Sequence, residues 1–61
     1  MSITIRQLQI FVAVARCESY TLAAKKIHLS QPAVSMQVKQ LESQLEIDLF
    51  EQLGRKLYLT A

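Results

Sequence analysis

The sequence lacks most of the residues from which metal centres, disulfides and active sites are built. Its 61 residues include one cysteine, Cys17, one histidine, His28, and one glycine, Gly54. A lone cysteine cannot form an internal disulfide, and with a single histidine it cannot complete a structural zinc site. With no glycine-rich loop to hold phosphates and no nucleophile–base cluster, an enzyme is the weakest interpretation. We therefore expect no metal and no cofactor in this chain.

Long apolar runs are also missing. No stretch approaches the roughly 18 consecutive apolar residues that span a membrane, and no basic segment followed by an apolar one forms a signal peptide. A single proline and a single glycine, with 51% hydrophobic residues, are typical of a compact helical protein. The sequence predicts one small cytoplasmic domain over residues 1–61, with no membrane contact.

Charge is divided unevenly along the chain, although the net charge is only +2. Residues 1–41 carry five cations and one anion, whereas residues 42–61 carry two cations and four anions. This asymmetry suits a protein that presents one face to a polyanion, and solubility alone is the alternative explanation.

The first helix is predicted from a capping box. Thr4 and Gln7 can exchange hydrogen bonds between side chain and backbone, so a helix begins after Thr4 and runs to about Cys17. Apolar residues at helical spacing predict its buried face: Ile5, Leu8, Phe11, Val12 and Ala15. Cys17 is expected to be a small buried apolar group rather than a reactive thiol.

A second, short helix is predicted after the hydroxyl residues Ser19-Tyr20-Thr21. Its paired alanines, Ala23 and Ala24, have no bulk and let another helix approach closely. The turn that follows contains no glycine, so we expect His28, a residue type found more often than most at positive φ, to make it.

The third helix, residues 31–45, has one apolar stripe and one polar face. Ser30 is a good N-cap, and Pro32 is tolerated because it falls in the first turn. The stripe that we expect to be buried recurs at i, i+4, i+7 and i+11: Val34, Val38, Leu41 and Leu45. The opposite face carries Pro32, Ser35, Met36, Lys39 and Ser43, with Gln31 at its N-terminal tip. A solvated surface helix is the alternative interpretation of such a face.

Helix, short turn and capped helix is the helix-turn-helix plan, and the remaining residues add a hairpin to it. Residues 49–52 and 57–60 are short β-prone runs around Gly54, which predicts a hairpin whose tip carries Arg55 and Lys56. The predicted fold class is therefore mainly α: a winged helix-turn-helix of three helices plus a short C-terminal β-hairpin wing.

The residues that carry this plan also carry a family resemblance. The ordered motif comprises Ala23-Ala24, Leu29-Ser30-Gln31-Pro32-Ala33-Val34-Ser35, Gln37, Leu41-Glu42, Leu45, Leu49-Phe50, Gly54-Arg55 and Leu59-Thr60. It resembles the N-terminal DNA-binding domain of LysR-type transcriptional regulators over almost the whole chain. More narrowly, SQPAVSMQVKQLE and LFEQLGRKLYLT resemble the branch called CbbR, which controls carbon-fixation genes of the Calvin cycle.

The resemblance implies partners that the sequence alone does not. Members of the family bind inverted-repeat operators in double-stranded DNA as homodimers or tetramers, through a linker helix that dimerises. They sense a small-molecule effector in a second domain. Neither part belongs to this sequence, so the chain is expected to be a truncated piece, monomeric in solution, that grips one half-site weakly.

The third helix supplies the predicted base contacts. Gln31 and Gln37 can pair bidentately with adenine, Ser35 can donate or accept, and Pro32 and Met36 offer apolar contact to thymine methyls. By helical phase, Gln37 only flanks this face. The resemblance implies that Gln31, Pro32, Ser35 and Met36 approach base edges and that Arg55 enters the minor groove from the wing. Predicted phosphate contacts are Thr21, Ser30, Lys39 and Lys56, with Lys25 a further candidate.

The sequence leaves two alternatives open. The same fold could serve as a protein–protein interaction module, for which a face of clustered aromatics or leucines is expected. Glu46 also stands where most members of the family have glycine. Either Glu46 takes a left-handed conformation at some cost, or the third helix ends differently.

Overall fold

Three helices and one antiparallel hairpin make up the structure, a computed structural model that describes residues 3–60. The helices are α1 (Ile5–Cys17), α2 (Tyr20–Lys26) and α3 (Gln31–Leu45), and the strands are β1 (Phe50–Leu53) and β2 (Lys56–Leu59). This order confirms the predicted mainly α class with a C-terminal hairpin. Within the described range, no helix is both long and apolar enough to cross a bilayer.

Each helix begins at the polar cap that the sequence predicts. The Thr4 hydroxyl accepts from the Gln7 N–H at 3.0 Å, and the Gln7 side chain accepts from the Thr4 N–H at 3.1 Å, which completes the capping box. Ser19 and Ser30 each accept from the N–H three residues on, at 3.1 and 3.2 Å. Pro32 lies in the first turn of α3, where its missing N–H leaves no gap.

A left-handed residue lies at the end of each helix or just beyond it, although none of them is glycine. Glu18, His28 and Glu46 have φ values of 54°, 60° and 59°. The turn prediction for His28 is therefore confirmed. Glu46 resolves the open question about α3: the helix does end in a left-handed cap, and the N–H groups of Glu46 and Ile47 both donate to the Glu42 carbonyl.

The core lies where the three helices meet the second strand. Its buried members are Ile10, Val14, Ala23, Ala24, Val34, Val38 and Leu57. Ala23 and Ala24 are almost completely buried, which agrees with the close helix approach expected of small residues. Cys17 packs against this cluster as predicted but is half-buried, where the prediction had it buried.

The predicted buried face of α1 is wrong. Ile5, Leu8 and Val12 are 76%, 47% and 42% exposed. Phe11 and Ala15 are only half-buried. The buried residues of α1 are instead Gln7, Ile10 and Val14. The predicted residues and the observed ones both have helical spacing. The observed ones are buried because α2 and α3 pack against their side of α1.

One position of the α3 stripe also differs from its prediction. Val34, Val38 and Leu41 are buried, whereas Leu45 is 41% exposed. Leu45 is the last residue of the helix, and Leu41 is the last residue of α3 that the core covers.

The connection between the two strands of the hairpin is two residues shorter than predicted. Its register runs from Phe50↔Leu59 to Leu53↔Lys56, which leaves a two-residue turn of Gly54 and Arg55. Gly54 has φ 65°, as hairpin turns with glycine in the first central position require. Lys56 therefore lies in β2 and not at the tip, while Arg55 keeps its predicted place.

Phe50 and Leu57 hold the hairpin against the helices. The Phe50 ring lies 5.4 Å from that of Phe11 and 6.2 Å from that of Tyr20, centroid to centroid. Leu57 is buried, and its N–H donates to the Glu18 carbonyl at 3.1 Å. The wing is thus anchored on α1 and α2.

Candidate nucleic-acid interface

The exposed side of α3 forms one continuous, open surface. Because Val34, Val38 and Leu41 turn inward, the residues about 180° away around the helix face solvent. We call this surface the recognition face, and it is lined by Gln31, Pro32, Ser35, Met36, Lys39, Gln40 and Ser43. Of the five residues predicted to contact bases, the fold brings four together on this face: Gln31, Pro32, Ser35 and Met36.

Gln37 is the predicted base-contacting residue that does not line the recognition face. It is half-buried, whereas Gln31, Pro32 and Met36 are exposed. The base contact of Gln37 therefore stays a prediction from the sequence.

The N-terminal end of α3 presents donors to an anion. Ser30 is exposed, and its hydroxyl oxygen accepts the capping hydrogen bond from the Ala33 N–H. The hydroxyl proton is left over and can be donated to a phosphate. The unpaired N–H groups and the dipole of a helix start also favour negative charge. Ser30 can therefore cap the helix and contact a phosphate at once.

A second, polar cleft lies between α2, α3 and the hairpin. We call it the wing cleft, and it is lined by Ser19, Tyr20, Thr21, Gln31, Gln52, Arg55 and Leu57. Three residues that the sequence assigned to separate tasks, Thr21, Gln31 and Arg55, meet here from three different elements.

Gln52 is a site residue that the sequence reasoning missed. It belongs to β1, and its side-chain amide donates to the Gly54 carbonyl at 3.4 Å, next to the turn that carries Arg55. Strand alternation could have identified it, because Gln52 is two residues beyond Phe50 and so lies on the same, inward face. Gln40 was missed as well, although helical phase places it on the recognition face.

The cations are not all equally placed. Lys39 lies on the recognition face. Lys25 and Lys56 are exposed but line neither the recognition face nor the wing cleft. Their phosphate contacts therefore remain predictions from charge alone.

Acidic residues lie at the edge of the candidate site, at the C-terminal end of α3. Lys39 also lines a neighbouring depression with Ser43, Ile47 and the three carboxylates of Glu42, Glu46 and Asp48. Phosphates would be repelled from this end and attracted to the other. The electrostatics therefore direct a polyanion toward the N-terminal half of α3 and the wing cleft.

Tyr20 forms part of the wall of the wing cleft. Burial raises the pKa of its phenol above the usual range, and the nearby Glu42 carboxylate raises this pKa further. The phenol therefore keeps its proton, and with it the ability to donate a hydrogen bond, to a higher pH than an ordinary tyrosine does.

Comparison with known proteins gives a consistent set of similarities. Residues 5–61 match the model of the family described as "Bacterial regulatory helix-turn-helix protein, lysR family". The chain is 58% identical over 60 residues to a RuBisCO operon transcriptional regulator of Allochromatium vinosum, covering 98% of this chain and 20% of that protein. It is 55% identical over 56 residues to the HTH-type transcriptional regulator CbbR of Rhodospirillum rubrum, covering 92% of this chain and 19% of that one.

A solved structure extends the similarity to three dimensions. The DNA-binding domain in the crystal structure of a CbnR_DBD–DNA complex superposes with a TM-score of 0.91 at 41% identity, over 97% of this chain and 68% of that chain. The chain spans about one fifth of the length of the curated relatives that it matches.

Proposed function

Since this chain belongs to the lysR family of bacterial regulatory helix-turn-helix proteins, we propose that it places α3 in the major groove of double-stranded DNA and the hairpin at the minor groove. It is the DNA-binding domain of a transcriptional regulator and not an enzyme. The observation that carries the docking geometry is the recognition face, whose side chains take no part in the core and point away from it. A helix about 10–12 Å across fits the major groove, which is about 12 Å wide.

The contacts in this proposal divide into base readout and positioning. Gln31 and Ser35 hydrogen-bond to base edges near the start of α3, and Pro32 and Met36 contact thymine methyls. Arg55 enters the minor groove from the wing. Thr21, Ser30, Lys39 and Lys56 hold phosphates and fix the register without reading the sequence.

The genes controlled and the assembly belong to the same proposal. The similarity to a RuBisCO operon regulator and to CbbR supports control of carbon-fixation genes. We propose that the whole protein acts in the cytoplasm, on an inverted-repeat operator, as a homodimer or tetramer. A small-molecule effector would act through residues outside this chain, and the chain itself would need no cofactor.

A protein–protein interaction module is not favoured. Such a face is expected to show clustered aromatic residues or leucines, and the recognition face contains neither. Its largest apolar side chain is Met36, beside glutamine and serine.

The direct test is selection of binding sites from random duplexes, with the domain fused to a dimerising segment so that two copies bind together. We expect an inverted repeat to be enriched. Gln31→Ala should relax the preference at one base pair per half-site and cost about 1–3 kcal/mol on the selected sequence, with little change on random DNA. Gln9→Ala is the matched control, because Gln9 is exposed and lines neither the recognition face nor the wing cleft, and it should select the same repeat.

Two outcomes would count against this function. If no sequence is enriched at low salt, the chain does not read DNA. If Gln31→Ala weakens binding to selected and random duplexes equally, Gln31 has a structural or phosphate-contacting role instead.

A further inference from the structure

Glu42 joins the recognition helix to the start of the wing. It lies in the last turns of α3, and its side-chain Oε2 accepts a hydrogen bond from the Leu49 N–H at 2.7 Å. Leu49 is the residue immediately before β1. A short hydrogen bond to an ionised carboxylate is among the stronger ones in proteins.

The segment held by Glu42 is also the point where the two ends of the hairpin meet. The Leu49 carbonyl accepts from the Thr60 N–H at 3.0 Å. The Thr60 hydroxyl donates to the carbonyl of Asp48. The entry to β1 and the exit from β2 are thus hydrogen-bonded to each other, and we call them the hairpin base. The Glu42–Leu49 hydrogen bond joins this base to α3, and we call it the tie.

This tie matters because the backbones of α3 and the hairpin do not approach each other closely. Among residues 3–60, β2 approaches α1, whereas no Cα atom of α3 comes within 8 Å of a Cα atom of either strand. The core therefore fixes the hairpin relative to α1 and α2. The Glu42–Leu49 hydrogen bond links α3 to the hairpin base directly.

The distance from base to tip magnifies any movement at the base. The paired strands run from Phe50↔Leu59 to Leu53↔Lys56, with Arg55 in the turn beyond. At about 3.4 Å per residue the tip lies roughly 10 Å from the base, so a tilt of about 10° at the base displaces Arg55 by about 2 Å. A displacement of that size is enough to break a hydrogen bond.

We propose that Glu42 is a positioning residue for DNA binding: its carboxylate fixes the hairpin relative to α3, so that Arg55 and the recognition face engage one duplex together. The proposal rests on the DNA-binding function proposed above. Glu42 itself touches no DNA in this arrangement, because it lies among the carboxylates at the C-terminal end of α3. Its effect on binding passes through the wing.

A test without DNA addresses the tie alone. Amide exchange at Leu49 is measured by NMR in the parent chain and in Glu42→Ala, Glu42→Gln and Glu51→Gln. Loss of the charged acceptor should speed exchange at Leu49 about tenfold in Glu42→Ala, whereas the glutamine at 42 keeps an acceptor oxygen and most of the protection. Glu51→Gln, which removes a carboxylate from β1, should leave Leu49 unchanged. Equal exchange in Glu42→Ala and the parent would overturn the tie, and the amide of Val38 reports whether each variant is folded.

A second test asks whether the tie acts through the wing. On a selected half-site at low salt, Glu42→Ala should weaken binding about tenfold in the parent and in Lys39→Ala, but less than about twofold in Arg55→Ala, where the wing contact is already gone. Glu42→Gln should bind at least as tightly as the parent, because it keeps the acceptor and removes a charge that repels phosphate.

The two tests distinguish failure of the positioning role of Glu42 from failure of the proposed DNA-binding function. The same tenfold loss in the Arg55→Ala background would show that Glu42 acts on the whole domain and would overturn the positioning role. Failure of the parent chain to bind any duplex would refute the proposed function and with it the positioning role, while the exchange data would still decide whether Glu42 holds the hairpin.

Discussion

Replacing Glu46 with glycine should make the chain more stable. Glu46 ends α3 with φ 59° and ψ 34°, a left-handed conformation that costs a non-glycine residue on the order of 1–2 kcal/mol. Glycine removes that cost, although its greater freedom in the unfolded chain takes back about 0.5–1 kcal/mol. Loss of a carboxylate at the negative end of the helix dipole adds about 0.3–1 kcal/mol in the same direction. The net gain is about 1 kcal/mol, which for a domain of this size raises the thermal midpoint by about 4–8 °C.

Two matched variants separate the backbone effect from the charge effect. Glu46→Ala removes the carboxylate but keeps Cβ, so the difference between the glycine and alanine variants reports the left-handed strain less the cost of glycine's greater freedom in the unfolded chain. Gln40→Gly places glycine in the exposed middle of the same helix and should lower stability by about 0.8–1 kcal/mol. Thermal and urea unfolding followed by far-ultraviolet circular dichroism measures all three. A Glu46→Gly chain no more stable than Glu46→Ala would refute the assignment of strain to this cap.

The other predictions address binding, pH dependence and the core. Lys39→Ala should weaken binding by a similar factor on operator and random DNA and lower the salt slope by roughly one, measured by titration at several salt concentrations; a loss confined to the operator would contradict a phosphate role. Because the folded pKa of Tyr20 is raised, its stabilising contribution is present below the unfolded value of about 10 and is lost as pH rises through the folded value. Urea midpoints of Tyr20→Phe should therefore fall less in that alkaline range than those of the parent. Ile10→Ala should cost about 2–5 kcal/mol of unfolding free energy, whereas Leu8→Ala should cost less than about 1, and equal losses would show that the outer stripe of α1 is covered.

Local chemistry made much of this fold predictable. A cap is decided within four residues, so Thr4, Ser19 and Ser30 mark their helices regardless of what packs around them. The turn at Gly54 is equally local. Boundaries were therefore right to within a residue or two. The hairpin differed because Lys56 pairs with Leu53, which extends the ladder toward the turn, whereas the strands end before Leu49 and Thr60 at the other end.

Helix α1 shows where local chemistry fails. Its sequence contains two apolar stripes, one through Ile5, Leu8 and Val12 and one through Ile10 and Val14. Periodicity alone therefore cannot decide which of the two stripes is buried. The choice is made by shape, because Ala23 and Ala24 let α2 lie close to the side that carries Ile10 and Val14. Gln7 is buried on this side because its side chain is already bonded to the Thr4 backbone, which a hydrophobicity pattern cannot register.

The candidate site divides along the same line. Helical phase suffices for the recognition face, since all of its residues come from one helix. The wing cleft requires the tertiary structure, because Thr21, Gln31 and Arg55 are distant in sequence and converge only when the hairpin docks through Phe50 and Leu57. Gln52 was missed for this reason, although its strand phase would have placed it inward.

The core and the recognition face use different residues of α3, and this determines how the preferred DNA sequence can change. The residues that fix α3 are its caps, its three buried side chains and Glu42. Of the four proposed base-contacting residues, Pro32 belongs to the first turn, whereas Gln31, Ser35 and Met36 have no part in fixing the helix. Substitution of exposed side chains away from such features usually changes stability by less than about 0.5 kcal/mol, whereas each base contact is worth about 1–3 kcal/mol of discrimination. Substitution of Gln31, Ser35 or Met36 can therefore change the preferred DNA sequence with little loss of stability. Glu42→Ala, in contrast, should leave the base-reading groups in place and alter where the wing meets the duplex.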